Sequence, residues 1–310
     1  MKIAILDDYS GIALDCADWT GLDTTVFRNH VADEAHVIER LQSFEIICPM
    51  RERTQISKQV IDSLPNLRLI ATCGMRNAGI NMQAAKDRGI RVTGTFGAPP
   101  TAELAFGLIL ALARSVPQES RNMQAGGWQT TIGRSLNGST LGLLGLGLLG
   151  GQVAGFARAF GMNLIAWSQN MTVEKAATHG ARLVDKATLV RESDFLSIHV
   201  VLSERTRGLI GADDLRAMKS TAYIINTARG PIIDEDALVI ALRDGQIGGA
   251  GLDVFGAEPL PVNHPMRQLD NAILTPHLGY VTESVFKGFH QGIVECIRAW
   301  MVGEELRVII

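Results

Sequence analysis

The segment Thr140-Leu-Gly-Leu-Leu-Gly145-Leu-Gly147-Leu-Leu-Gly150-Gly151 joins a short apolar run to three glycines at G-x-G-x-x-G spacing, and it constrains the fold more than any other stretch. Leu141 to Leu144 read as a strand of a parallel sheet covered on both faces, because such strands are continuous apolar runs. Gln152 to Gly161 read as the helix that follows. The first glycine allows a tight turn, the second lets backbone approach a pyrophosphate, and the third lets helix and strand pack closely. Phosphates would then sit on free N–H groups at the helix N-terminus. A lone glycine pattern is weak, since any glycine-rich turn satisfies it. Here strand, turn, helix and next strand follow in order, so the reading is a dinucleotide held at Gly145, Gly147, Leu148, Leu149 and Gly150.

The next strand, Asn163 to Asn170, lacks the acidic residue that grips the ribose 2′-hydroxyl of NAD about 20 residues past the glycines. Ser168 stands there. A carboxylate would repel a 2′-phosphate, so Ser168, Gln169 and Asn170 permit NADP and forgo the strongest NAD contact. No Arg or Lys follows directly, and Lys175 is the nearest. The cofactor is read as NAD(P), leaning slightly to NADP(H) over NAD(H); a strand end indifferent to both satisfies the same residues.

At 310 residues, with 20% charged residues and a net charge of −3, the chain is long enough for two globular domains and has no basic run for nucleic acid or anionic membrane. Cys16, Cys48, Cys73 and Cys296 show neither C-x-x-C nor metal-ligand spacing, which points to buried thiols in a reducing, cytoplasmic compartment and to no metal. The opening Met1-Lys-Ile-Ala-Ile-Leu meets Asp7-Asp8 at once and reads as a first strand, not a signal peptide. Leu104 to Ala113 is too short to span a bilayer.

Residues 1–98 alternate short apolar runs with helical stretches, a βα rhythm that implies a parallel sheet with helices on both faces. Phe96-Gly-Ala-Pro-Pro100 looks like a hinge. A long apolar helix over Thr101 to Ser115 follows, then a helix and loop to 138, and a second βα series from Thr140 with strands near 163–168, 194–200, 222–226, 248–252 and 272–275. The final helix, Glu283 to Met301, returns to the first unit in this reading. The expected domains are 1–98 plus 281–310, and 99–280. The helix from Thr101 is apolar on more faces than one core requires, which predicts a homodimer built around it.

Three strand ends of the second series carry polar groups, and open α/β sheets place ligands at the carboxyl ends of their strands. In Tyr223-Ile-Ile-Asn-Thr-Ala-Arg229-Gly, an arginine beside a glycine offers a planar fork for a carboxylate, though a surface salt-bridging arginine fits the segment equally. Asp253 directly follows apolar residues and calls for a partner such as an amide. His277, behind Pro276 and with Glu258 available as partner, suits proton transfer, while a satisfied core histidine is the plainer alternative.

With these residues the chain resembles the D-isomer-specific 2-hydroxyacid dehydrogenases over almost its whole length. Gly142 to Gly150, Asn226-Thr-Ala-Arg-Gly230, Asp253-Val-Phe-Gly-Ala-Glu-Pro-Leu-Pro261 and Thr275-Pro-His-Leu-Gly279 look like that family's motifs, in order. The resemblance implies an α/β protein of two doubly wound parallel-sheet domains, a Rossmann NAD(P)-binding domain inserted into a flavodoxin-like substrate domain. It implies that Arg229 binds the substrate carboxylate, His277 is the acid/base and Glu258 its partner. Asp253 would face the nicotinamide carboxamide, and Thr227, Ala228, Val200, Thr206, Gly279 and Thr101 would also serve the cofactor. A proline is common where Val201 stands. In the first domain Gly74, Met75, Arg76 and Asn77 would cradle substrate, although Arg76 is unusual there. Arg51 and Arg53 resemble arginines that phosphoglycerate dehydrogenases direct at a distal phosphate; solvated arginines fit Arg53 as well.

The expected activity is hydride exchange between NAD(P)H and a small 2-keto or D-2-hydroxy acid such as glyoxylate, hydroxypyruvate or phosphohydroxypyruvate. Hydride addition to a keto acid leaves charge on the carbonyl oxygen, so the site needs a proton donor there and a cation on the carboxylate. A carboxylate partner favours the protonated imidazole for reduction. The alternative is an NAD(P)-sensing, corepressor-like binding protein on the same scaffold, against which the short tails argue. A formate-dehydrogenase-like reading is weaker, because that substrate needs no protonation.

Overall fold

The computed structural model describes residues 1–97 and 100–310. The chain forms two compact units, Met1–Pro99 with Val281–Ile310, and Pro100–Tyr280. The hinge expected over 96–100 falls in part on residues 98 and 99, which lie outside the described residues.

In the first unit, β1 (Lys2–Ile5), β2 (Asp23–Val26), α1 (Glu34–Leu41), β3 (Ile46–Cys48), α2 (Lys58–Ser63), β4 (Leu69–Thr72), α3 (Met82–Asp87) and β5 (Arg91–Gly94) build a parallel sheet of order β2-β1-β3-β4-β5. Strands β3 and β4 are buried throughout, as their unbroken apolar runs require. The helices start where short polar side chains cap them. Asp33, Ser57 and Asn81 accept the N–H groups of His36, Val60 and Ala84. Strand β2 has no counterpart in the sequence reading, because Asp23-Thr-Thr-Val is a half-exposed edge strand and not an apolar run.

The second unit opens with α4 (Thr101–Ala113) and α5 (Val116–Gln124). Then come β6 (Thr140–Leu144), α6 (Leu148–Ala159), β7 (Asn163–Trp167), α7 (Val173–Thr178), β8 (Arg182–Leu183), α8 (Lys186–Glu192) and β9 (Phe195–Ile198). The series continues through α9 (Ala212–Ala217), β10 (Tyr223–Asn226), α10 (Glu235–Arg243), β11 (Gly249–Leu252) and β12 (Ala272–Leu274). These seven strands are all parallel, in the order β12-β11-β10-β9-β6-β7-β8. Strand order reverses at the β6/β9 boundary, the position where open α/β sheets leave a crevice for ligands. The last helix, α11 (Glu283–Met301), packs on β4 and β5 of the first sheet.

Helix α4 departs from the expectation placed on it. It lies against α6, β10 and β11, and Ala102, Ala105, Phe106, Leu108, Ile109, Leu112 and Ala113 are buried within its own unit. Its all-round apolarity is therefore mostly satisfied inside one copy, and it no longer demands a second. Among the described residues, no helix is long and apolar enough to cross a membrane, and no group of His, Cys, Asp and Glu side chains is placed to hold a metal. All four cysteines are free and buried.

Candidate active site

The glycine turn sits at the carboxyl end of β6. Gly145 has φ +96°, and a Cβ there would lie 2.9 Å from the His199 carbonyl, so only glycine closes this turn. A Cβ on Gly150 would collide with the Gly145 carbonyl oxygen, which accounts for the third glycine. Gly147 is different: a Cβ there would meet nothing within 4 Å and would project into open space. Helix α6 starts directly after it, at Leu148, four residues earlier than expected, and no side chain caps that end. An uncapped helix N-terminus behind a backbone cradle with space over its middle glycine fits the phosphates of a dinucleotide.

Neighbouring strand ends enclose this turn. His199, after β9, bonds Ser197 Oγ through Nε2 at 2.9 Å, and burial pushes its imidazole down to about 4, so it is neutral at working pH. Val200 is half-buried beside Gly145. Thr206 Oγ1 accepts the Ser203 N–H and donates to the Val201 carbonyl, both at 2.7 Å, so it sets the shape of the loop 201–206. At the end of β7, Ser168 is half-buried while Gln169 and Asn170 are exposed. Arg205 Nη1 approaches Gln169 Oε1 at 3.4 Å, a cation beside the end of β7 that sequence reasoning missed.

The ends of β10, β11 and β12 bring the acid/base candidates together. Asn226, 1% exposed, receives the Ala228 N–H on Oδ1 at 3.0 Å and donates Nδ2 to the Arg229 carbonyl at 2.9 Å, bracketing the turn that carries Thr227, Ala228 and Arg229. An asparagine three residues ahead of the arginine was the available signal for this brace. Gly230 lies so close to the Phe255 carbonyl that no Cβ fits, which seats the arginine turn against the loop leading to Glu258. Glu258 Oε2 lies 2.6 Å from His277 Nδ1, and its Oε1 accepts the Phe255 N–H at 2.9 Å. Partial burial works to raise the Glu258 carboxyl. The His277 bond and charge, the Phe255 N–H and the Arg229 charge outweigh it and hold the group below its ordinary value.

Asp253 has a different immediate task from the carboxamide contact expected of it. It is fully buried; Oδ1 accepts Thr275 Oγ1 and the Leu278 N–H, both at 2.6 Å, and Oδ2 accepts the Gly279 N–H at 2.8 Å. Burial raises its carboxyl despite these bonds. Thr101 donates to the Gly279 carbonyl at 2.8 Å, and a Cβ on Gly279 would press on both Thr101 and Asp253. Thr101, Asp253 and Gly279 thus form one clamp on the segment that presents His277 at φ +55°.

In the first unit, Gly74 (φ +85°) donates its N–H to Thr95 Oγ1 at 2.9 Å, and Arg51 Nη1 would touch a Cβ placed on it. Asn77 is buried, with its amide donating to the Arg51 carbonyl at 2.6 Å and Thr72 Oγ1 at 2.8 Å, so it ties two loops together. Met75 is half-buried and Arg76 exposed. Arg53 donates to the Asp7 carbonyl at 2.9 Å and stacks on Tyr9 at 4.5 Å.

A family model for the NAD-binding domain of D-isomer specific 2-hydroxyacid dehydrogenases matches residues 106–279. A glyoxylate reductase from Thermococcus litoralis is 37% identical over 261 residues, 81% of this chain and 78% of that protein. A D-3-phosphoglycerate dehydrogenase from Methanocaldococcus jannaschii is 38% identical over 273 residues, 86% of this chain but only 52% of that protein, so the match spans about half of that relative. Among solved structures, a phosphoglycerate oxidoreductase from Vibrio cholerae is 36% identical with a TM-score of 0.92, covering 98% of this chain and 99% of that one. These matches define an oxidoreductase built on an NAD-binding domain. The chain belongs to the D-isomer specific 2-hydroxyacid dehydrogenase family.

Proposed function

We propose that this protein reduces a small 2-keto acid to the D-2-hydroxy acid, with glyoxylate, hydroxypyruvate and phosphohydroxypyruvate as the substrate types to test. The observation that carries this is the 2.6 Å contact of His277 with Glu258 next to the arginine turn at 226–230. A bound nicotinamide supplies the hydride at C2 of the keto acid. His277 delivers a proton to the keto oxygen as charge grows there, and Glu258 stabilises the imidazolium before it is spent. Arg229 holds the substrate carboxylate with its planar fork. Gly145, Gly147, Leu148, Leu149 and Gly150 hold the pyrophosphate; Val200, Thr206, Thr227 and Ala228 line the remainder of the dinucleotide site.

The second unit is the cofactor domain in this reading; in the first unit, Gly74, Met75, Arg76 and Arg51 are the substrate-binding candidates, with Asn77 tying their loops together. A reducing compartment such as the cytoplasm suits four buried thiols. A homodimer belongs to the reading as well. The side chains it would cover are Val116, Met123, Trp128 and Ile132, exposed on α5 and the loop beyond it, rather than the body of α4. Light scattering at micromolar concentration checks that assembly.

The deciding experiment is steady-state turnover of a keto-acid panel with NADH and with NADPH. Turnover of at least one of these substrates is expected. Binding of a dinucleotide without turnover of any keto acid would favour the sensing-protein alternative.

A further inference from the structure

We propose that Arg205 anchors the 2′-phosphate of NADP(H), making the phosphorylated dinucleotide the preferred cofactor of this chain. The inference rests on the dinucleotide reading of the glycine turn, and it adds a residue which that reading lacked. The strand end that would meet the adenosine ribose, Ser168-Gln169-Asn170, carries no carboxylate, and the next acidic residue along the chain is Glu174 inside α7. Nothing there repels a phosphate. A site that takes NADP also needs a cation, and the sequence supplies none beside the strand.

The fold supplies one from another strand. Strand β9 lies on one side of β6 and β7 on the other, so the loop after β9 and the turn after β7 open at the same edge of the sheet. From that loop Arg205 reaches across 36 positions of sequence to Gln169 Oε1, at 3.4 Å. Its present partner is a neutral amide oxygen at the long end of hydrogen-bond range, and both side chains are exposed. A phosphate dianion offers the guanidinium a shorter, charge-assisted and bidentate contact, so exchanging the amide for a 2′-phosphate is favourable.

The loop is shaped for the task. Thr206 Oγ1 closes the loop 201–206 through the Ser203 N–H and the Val201 carbonyl, fixing the backbone beside Arg205. Lys175 is nearer in sequence to Ser168, but it stands inside α7, where its backbone N–H is held by the Thr172 cap.

The test is the dissociation constant of the full-length protein for NADPH and for NADH by titration calorimetry, without substrate. Wild type is expected to bind NADPH the more tightly. Arg205→Gln is expected to weaken NADPH binding roughly 10-fold to 100-fold, the range for losing a hydrogen bond to a charged group, while NADH changes by less than about twofold. Lys175→Gln should leave the preference in place. An equal loss for both dinucleotides, no loss at all, a wild-type preference for NADH, or a preference abolished by Lys175→Gln and not by Arg205→Gln would each overturn the assignment. Binding of neither dinucleotide would instead overturn the reading of the glycine turn, and this proposal with it.

Discussion

Glu258 binds His277 Nδ1 through one carboxylate oxygen at 2.6 Å and the Phe255 N–H through the other at 2.9 Å. The second bond fixes the carboxylate, and the fixed carboxylate orients the ring, which leaves Nε2 as the nitrogen available for chemistry. Arg229 adds positive charge to the same carboxylate.

Glu258→Gln tests the electrostatic half of this arrangement. The amide keeps a hydrogen-bonding partner for His277 but loses the charge that favours imidazolium. Reduction draws its proton from that ring, so kcat should fall about 10-fold to 100-fold, the range for losing a hydrogen bond to a charged group, with KM for the keto acid little changed. A kcat equal to wild type would contradict a role for that charge.

Arg229→Lys tests the carboxylate fork. A point-charge ammonium cannot reproduce two parallel N–H contacts, so the damage should fall largely on KM for the keto acid rather than on dinucleotide affinity. Equal KM values for variant and wild type would contradict the assignment.

Asp253→Asn tests the clamp beneath His277. The carboxylate accepts three donors, and an amide oxygen paired with an NH2 cannot serve all three at the same positions. One buried donor left unmet costs about 1–3 kcal/mol, so the unfolding midpoint should drop along with turnover. Loss of turnover at unchanged stability would show instead that Asp253 meets the cofactor, as the family resemblance implied.

His290 gives a stability prediction remote from catalysis. Its ring is 1% exposed between Trp19 and Phe286, with neither nitrogen partnered, and burial lowers it to about 4 against a slight opposing pull from Asp8. The folded state thus favours neutral His290. That contribution is complete above pH 6.5 and is lost as pH falls from 6.5 toward about 4, a span worth about 3 kcal/mol. His290→Phe should flatten the acid side of the melting-temperature profile. His199, lowered in the same direction, should keep it from becoming flat. An unchanged profile would contradict this account.

Much of the architecture was legible because parallel strands covered on both faces must be apolar runs, and glycine turns and caps punctuate them. The reading faltered where that logic does not apply. Edge strand β2 is polar, β8 is two residues long, and α7 and α8 are short helices set by the caps Thr172 and Asp185. Arg229, Glu258 and His277 stood out since polar side chains at the ends of buried strands have no packing reason to be there. Asn226 was visible in its motif but not its role, which exists only once the turn has closed. Arg205 could not be found at all, because its proximity to Gln169 is a product of strand order and leaves no trace in local spacing.

The most direct test of the central claim, that His277 is the acid/base, is the turnover number of His277→Asn in keto-acid reduction, measured beside its dinucleotide affinity. Asparagine keeps polarity and approximate size but cannot titrate. The account predicts a fall in kcat of about 10²–10⁴-fold, the usual worth of positioned acid/base catalysis, with folding and dinucleotide binding retained. Near-normal turnover in the folded variant would contradict it.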